Sequence, residues 1–160
     1  MKEIDIWGWD KKVRTMLRFL KSGDIFCFKF DEKYAFGRIL TSMSVGHLVE
    51  IFDIILPTTE ITEKQVINAN SLVAPIVIDA YSLFDRKEEG EWRIIGRQKQ
   101  FIPQNIDDVF FIWGAEGMRR RVDFYDNSEP VSDEVAQNFP LFYAQGNDQV
   151  IGLIKSSLAK

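Results

Sequence analysis

A chain of 160 residues with 46% hydrophobic and 28% charged side chains has the composition of one globular domain and excludes a disordered polymer. Its single cysteine, Cys27, excludes an internal disulfide and a cysteine-cluster zinc site, which fits a reducing compartment such as the cytoplasm. The net charge of −4 argues against general nucleic-acid affinity, which rests on lysine and arginine neutralising phosphates.

The opening MKEIDIWGWDKK carries acids early and no apolar run after a basic start, so no signal peptide is expected. Asp10 is placed to cap a helix whose stripe is Val13, Met16, Leu17 and Leu20, with Gly23 ending it. Two apolar runs follow, 24–30 and 34–40, joined by Asp31-Glu32-Lys33; short polar connections of this kind read as hairpins. A third strand over 48–56 stops at Pro57, and Thr62-x-x-Gln65 has the spacing of a capping box for a helical turn over 62–69. Strands are expected at 73–84 and 91–98, separated by the exposed turn Arg86-Lys87-Glu88-Glu89-Gly90. Two more fit 109–113 and 118–125, with Gly114 and Gly117 between them; in the last, Met118, Val122 and Phe124 alternate with Arg119, Arg121 and Asp123, so one face should be wet.

Ser132 is a candidate cap for a short helix, and Asn147 for a final helix striped by Val150, Ile151, Ile154 and Leu158. The longest apolar stretches, 72–78 and 109–115, are far short of the roughly twenty residues of a membrane span. The reading is a single α+β domain over residues 1–160. Six or seven mostly antiparallel strands form a strongly curved sheet covered on one face, with an N-terminal and a C-terminal helix packed on it.

Charge is unevenly distributed. Lys11, Lys12, Arg14, Arg18 and Lys21 make the first helix basic, whereas residues 122–154 contain no lysine or arginine. That stretch carries Asp123, Asp126, Glu129, Asp133, Glu134 and Asp148, an acidic surface able to steer a basic partner into contact. The alternative is a plain solvated face.

Enzyme signatures are sparse. Neither the P-loop nor the dinucleotide glycine pattern occurs, and a lone histidine, His47, excludes any site needing two imidazoles. No acidic loop has the regular spacing of a magnesium or calcium site, so no metal or other cofactor is expected. Cys27 and His47 would form a nucleophile–base pair if their strands brought them together, but Cys27 sits between Phe26 and Phe28, where a thiol behaves as a small hydrophobe. Glu50 and Asp53 lie three apart on a strand and point to opposite faces, which weakens a general acid–base pair.

Arg119-Arg120-Arg121 reads either as a phosphate or carboxylate grip, or as Arg119 and Arg121 in solvent with Arg120 on a nearby acid; the second is favoured. Trp7, Trp9, Trp92 and Trp113 read as core or interface anchors, with Trp7 and Trp9 the most exposed.

Gly23-Asp24-Ile25-Phe26-Cys27-Phe28, then a polar turn, then Tyr34-Ala35-Phe36-Gly37-Arg38-Ile39-Leu40 resembles the opening hairpin of the immunity protein 26 family. The resemblance is most specific over residues 23–40. It implies a protein that accompanies a toxin of a bacterial contact-dependent or polymorphic system and neutralises it by binding. It transfers no catalytic residue; Gly37 and Arg38 read as structural, the arginine anchoring an acid. The family name also carries a phosphotriesterase label for some relatives, a chemistry that calls for a metal-activated water.

The leading functional expectation is an inhibitor of a cognate toxin domain, a nuclease by charge, acting in the cytoplasm without nucleic acid or membrane as partner. Its expected contact residues are Asp123, Tyr125, Asp126, Glu129, Asp133 and Glu134, with Phe139 as a further aromatic. The alternatives are an ester or phosphoester hydrolase depending on Cys27, His47 or a metal, and a nucleic-acid-binding module using the tryptophans and Arg119–Arg121.

Overall fold

A computed structural model describes residues 3–160. Among the described residues, nine strands form two antiparallel sheets. The larger has the order β1-β6-β2-β3-β4-β5. Its strands are β1 (Ile4–Ile6), β2 (Asp24–Phe30), β3 (Lys33–Met43), β4 (Gly46–Leu56), β5 (Ile76–Ile78) and β6 (Trp92–Gln98). The smaller is β7 (Phe111–Trp113), β8 (Arg120–Val122) and β9 (Ser128–Pro130) in sequence order. Three helices complete the chain: α1 (Glu63–Asn68), α2 (Asp133–Ala136) and α3 (Asn147–Leu158).

The β2–β3 hairpin forms where the turn residues require it. Asp31 takes the left-handed conformation (φ 53°), which aspartate tolerates better than most residues, and Phe30 pairs directly with Lys33. Thr62 caps α1 as its spacing predicts, its hydroxyl accepting from the Gln65 amide at 3.1 Å while the Thr62 amide donates to Gln65 Oε1 at 2.9 Å. Gly37 is needed because a Cβ there would collide with the Glu50 carbonyl and the Phe26 ring.

The large sheet is covered on both faces, not on one as the strand pattern suggests. One face carries Phe26, Phe28, Val49, Ile51 and Trp92 against Val150 and Ile154 of α3. Trp92 stacks on Phe28 at 3.9 Å between ring centroids and donates its indole N–H to Asn147 Oδ1 at 2.9 Å. The opposite face is divided. Ile25, Cys27, Phe36 and Phe52 pack with Ile61 and Val66 at α1, while Leu40, Met43, Leu48 and Val77 pack with Phe111, Val122 and Phe124 at the small sheet. Burial on both faces explains why β2 reads as a nearly unbroken apolar run.

Three expectations are corrected. The N-terminal helix is a strap with one short 3₁₀ turn at Leu17–Phe19, because its backbone finds tertiary partners. The Thr15 amide donates to the Phe84 carbonyl at 3.1 Å and the Leu17 amide to Asp85 Oδ2 at 2.9 Å. Val13, Met16 and Leu17 of the supposed stripe remain substantially exposed, and only Leu20 is buried. The expected strand over 73–84 is β5 followed by a wide π-type turn at Tyr81–Asp85, held by Asp79, which accepts from the Ser82 amide and hydroxyl. At α3 the capping position belongs to Gly146; Asn147 is the first helical residue and spends its side chain on Trp92.

Candidate partner-binding surface

The small sheet positions the acidic stretch. Phe111 pairs with Val122 and Val122 with Ser128, which turns the Phe111 and Val122 side chains onto the large sheet. Trp113, at the open end of β7, is 48% exposed and lines a cleft of about 490 Å³ with Val45 of the β3–β4 turn, Val122, Phe142, Ser44, Ser128 and Asp126. The floor is apolar and Asp126 brings the carboxylate. Tyr125, 68% exposed, sits edge-on to Phe124 at 5.4 Å. Exposed aromatics beside an apolar cleft have the chemistry of interface anchors.

Most of the expected acids are already engaged. Asp123 Oδ1 accepts from the amides of Tyr125 and Asn127, each at 2.9 Å, closing the turn. Asp126 (φ 66°) accepts from the Ser44 amide at 2.9 Å and its hydroxyl at 3.2 Å, tying the small sheet to the β3–β4 turn. Glu129 pairs with Arg121 at 2.5 Å, and Asp133 accepts from the Gly117 amide at 2.9 Å with Arg119 at 3.9 Å. Glu134 is exposed and makes no contact of this kind among the described residues. The negative field is therefore diluted by two arginines that a count along the sequence places outside the stretch.

The arginine cluster is organised differently from the favoured reading. Arg121, not Arg120, takes an acid, and its guanidinium lies 4.1 Å from the Phe110 ring centroid, with Phe110 edge-on to Phe139 at 5.4 Å. Arg120 donates to the Ser128 hydroxyl at 3.0 Å and carbonyl at 3.1 Å, and Arg119 to the Gly114 carbonyl at 2.6 Å. Cross-strand pairing in β8 and β9 fixes this, because Arg121 stands opposite Glu129.

Trp7 and Trp9 are half-buried. Trp7 donates to the Ile94 carbonyl at 3.0 Å beneath Lys12, and Trp9 packs between Arg93 and Tyr34. The most exposed tryptophan is Trp113, one of the four expected anchors, and not Trp7 or Trp9 as their place before the first helix suggests. Its signal was its place at a strand end directly before Gly114.

Cys27 and His47 do not meet. Cys27 is wholly buried in the cluster of Ile25, Phe36 and Phe52, and burial pushes its thiol well above the ordinary range despite Arg93. His47 pairs in register with Ile78 and lines a different cavity with Leu17, Leu20 and Tyr81. Burial lowers its pKa below 6.5, against the opposing field of Asp24, so the imidazole is neutral at pH 7. Glu50 is committed to Arg38 at 3.1 Å, and Asp53 accepts from the Asn70 amide at 3.0 Å. None of these groups shares a site. Among the described residues no cluster of three or more His, Cys, Asp or Glu is placed to hold a metal ion, and no helix is long and apolar enough to cross a membrane.

Neither the curated proteins nor the solved structures contain a match to this chain. The family model described as Immunity protein 26 matches residues 21–121, which runs from just before β2 into β8 and takes in both long hairpin strands, α1 and the Trp92 strand. That is more than half of the sequence, and the chain belongs to the Immunity protein 26 family.

Proposed function

We propose that this chain is an immunity protein that binds and neutralises a cognate toxin domain in contact-dependent growth inhibition or a related polymorphic-toxin system. The observation that carries the reading is family membership over residues 21–121. The whole chain acts as one binding domain in the cytoplasm, and inhibition is by occupancy, not by turnover. A nuclease is the toxin class the chemistry favours, since enzymes that act on nucleic acid present basic surfaces and every charged side chain of residues 122–154 is acidic, two of them paired with Arg119 and Arg121.

The contact surface we infer is the cleft at Trp113, which Asp126 lines, with the exposed Tyr125 beside Asp126 in the chain and with Asp123, Glu129, Asp133 and Glu134 on the adjoining turn, β9 and α2. An apolar floor with a carboxylate at its side suits a lysine or arginine whose stem is apolar and whose head is charged.

The test is binding of the toxin domain encoded beside this chain, measured at low and at physiological salt. Glu134→Lys and Trp113→Ala should each weaken the complex, the first mainly in association rate and the second in dissociation rate. Parent-like affinity in both variants removes this face; absence of a complex with the parent removes the immunity reading.

A further inference from the structure

Arg38 and Glu50 stand where the pattern around them is apolar. On β3, Arg38 lies between Phe36 and Leu40; on β4, Glu50 lies between Leu48 and Phe52, and all four neighbours are at most 6% exposed. The two-residue period of a strand sets the charged pair on the same face as these four, and the register sets Arg38 opposite Glu50. The pair marks the seam between the cluster at α1 and the cluster at the small sheet. Its side chains are 13% and 15% exposed.

The guanidinium is held through its two terminal nitrogens, while its buried Nε has no hydrogen-bond partner among the described residues. It donates to Glu50 Oε1 at 3.1 Å and to Gln98 Oε1, and it lies 4.3 Å from the Phe101 ring centroid and 5.3 Å from that of Phe52. A charged pair largely withdrawn from water is no more stable than apolar side chains of the same size. Stability alone therefore does not account for a charge pair at the seam. What it does form is part of the lining of an open groove of about 830 Å³.

The groove's lining has a definite chemistry. Beside the pair it presents Asn70, Gln100, Gln104 and Asn105, amides that offer donors and acceptors in equal measure, while the Gln98 amide is already engaged with Arg38 and Glu3. Glu3 adds one acid, so the lining is close to electroneutral and does not select phosphate. Gln100 and Asn105, both in the 99–106 loop, take left-handed conformations (φ 55° and 58°). Ile67 and Ile102, 68% and 76% exposed, also line it. A polypeptide backbone carries alternating donors and acceptors, and branched apolar side chains left in water beside a polar lining suit the apolar side chains of such a segment.

We propose that this groove receives one extended segment of a partner protein. Its main-chain amides and neutral polar side chains meet the amide lining, and its apolar side chains rest on Ile67 and Ile102. The inference rests on the immunity reading and names the toxin domain as the partner, but on a surface separate from the Trp113 cleft.

The test uses the full chain and the purified toxin domain encoded beside it. Hydrogen exchange on the unmodified chain should slow over residues 67–71 and 100–105 when the domain is added. Ile67→Asp/Ile102→Asp should bind at least tenfold more weakly while its unfolding midpoint stays at the parent value, because both positions are exposed. A complex that forms with no protection in these segments and with unchanged affinity in the double variant overturns the groove and leaves the immunity reading standing. Failure of the unmodified chain to bind at all overturns both.

Discussion

The Arg38–Glu50 pair gives a sharp energetic prediction. Replacing Arg38 with Met leaves the Glu50 carboxylate, 15% exposed, without its cation, and also removes the bond to Gln98 and the contacts with Phe101 and Phe52. Breaking a fully buried pair from one side costs roughly 3–5 kcal/mol; residual water access here lowers the expectation to about 2–3 kcal/mol for Arg38→Met and for Glu50→Leu singly. The double variant puts apolar side chains between Phe36, Leu40, Leu48 and Phe52, extending an already buried surface, and is expected within about 1 kcal/mol of the parent. Summed single losses of about 4–6 kcal/mol against at most about 1 kcal/mol in the double variant make the non-additivity at least about 3 kcal/mol, the upper end for residues in contact.

Urea unfolding followed by tryptophan fluorescence reads this directly, since Trp92 is wholly buried and stacked on Phe28. Additive losses in the double variant, or single variants within about 0.5 kcal/mol of the parent, would refute the claim that the pair is a coupled, preorganised part of the groove lining.

Further outcomes are fixed by burial. Cys27, with 0% exposure and a raised thiol pKa, should resist an aromatic disulfide reagent in the native state and react fully in urea; rapid native labelling would contradict its place between the sheet and α1. For His47, burial lowers the folded pKa below the unfolded 6.5, so the unfolded chain binds more protons as pH falls through that range. Stability attributable to His47 is therefore complete above pH 6.5 and declines below it. In denaturation series from pH 7 to pH 5, His47→Asn should flatten that decline, and an unchanged slope would place the effect elsewhere.

The elements legible in the sequence were those whose signals are local. The β2–β3 hairpin needed only two apolar runs and a short polar joint, and Thr62 with Gln65 carried its own cap. The N-terminal strap is not legible locally: Val13, Met16, Leu17 and Leu20 do have helical spacing, and nothing local reveals that the amides of Thr15 and Leu17 bond to Phe84 and Asp85, some seventy residues away. The strand over 73–84 broke at Asp79, whose carboxylate captures Ser82, a signal that was present and outweighed by the apolar run before it. β9 contains Ser128, Glu129 and Pro130, all exposed, and no strand propensity announces it.

The candidate site divides along the same line. That residues 122–154 lack cations is a fact of the sequence, but Arg119 and Arg121 reach back across β8 to Asp133 and Glu129, and only register shows it. The expectation that Arg38 anchors an acid holds, with Glu50 as the acid. That this pair lines a groove was beyond reach, because it depends on two separate covering elements leaving a gap between them.

The central claim is that the chain acts by occupying a toxin domain. Titrating a fixed amount of active toxin domain with this chain tests it most directly. The account predicts that toxin activity falls linearly and reaches zero at a fixed stoichiometric ratio, with no further change on longer incubation. Complete loss of activity at a small fraction of that ratio, progressing with time and leaving the chain free to act again, would mean turnover and would contradict it.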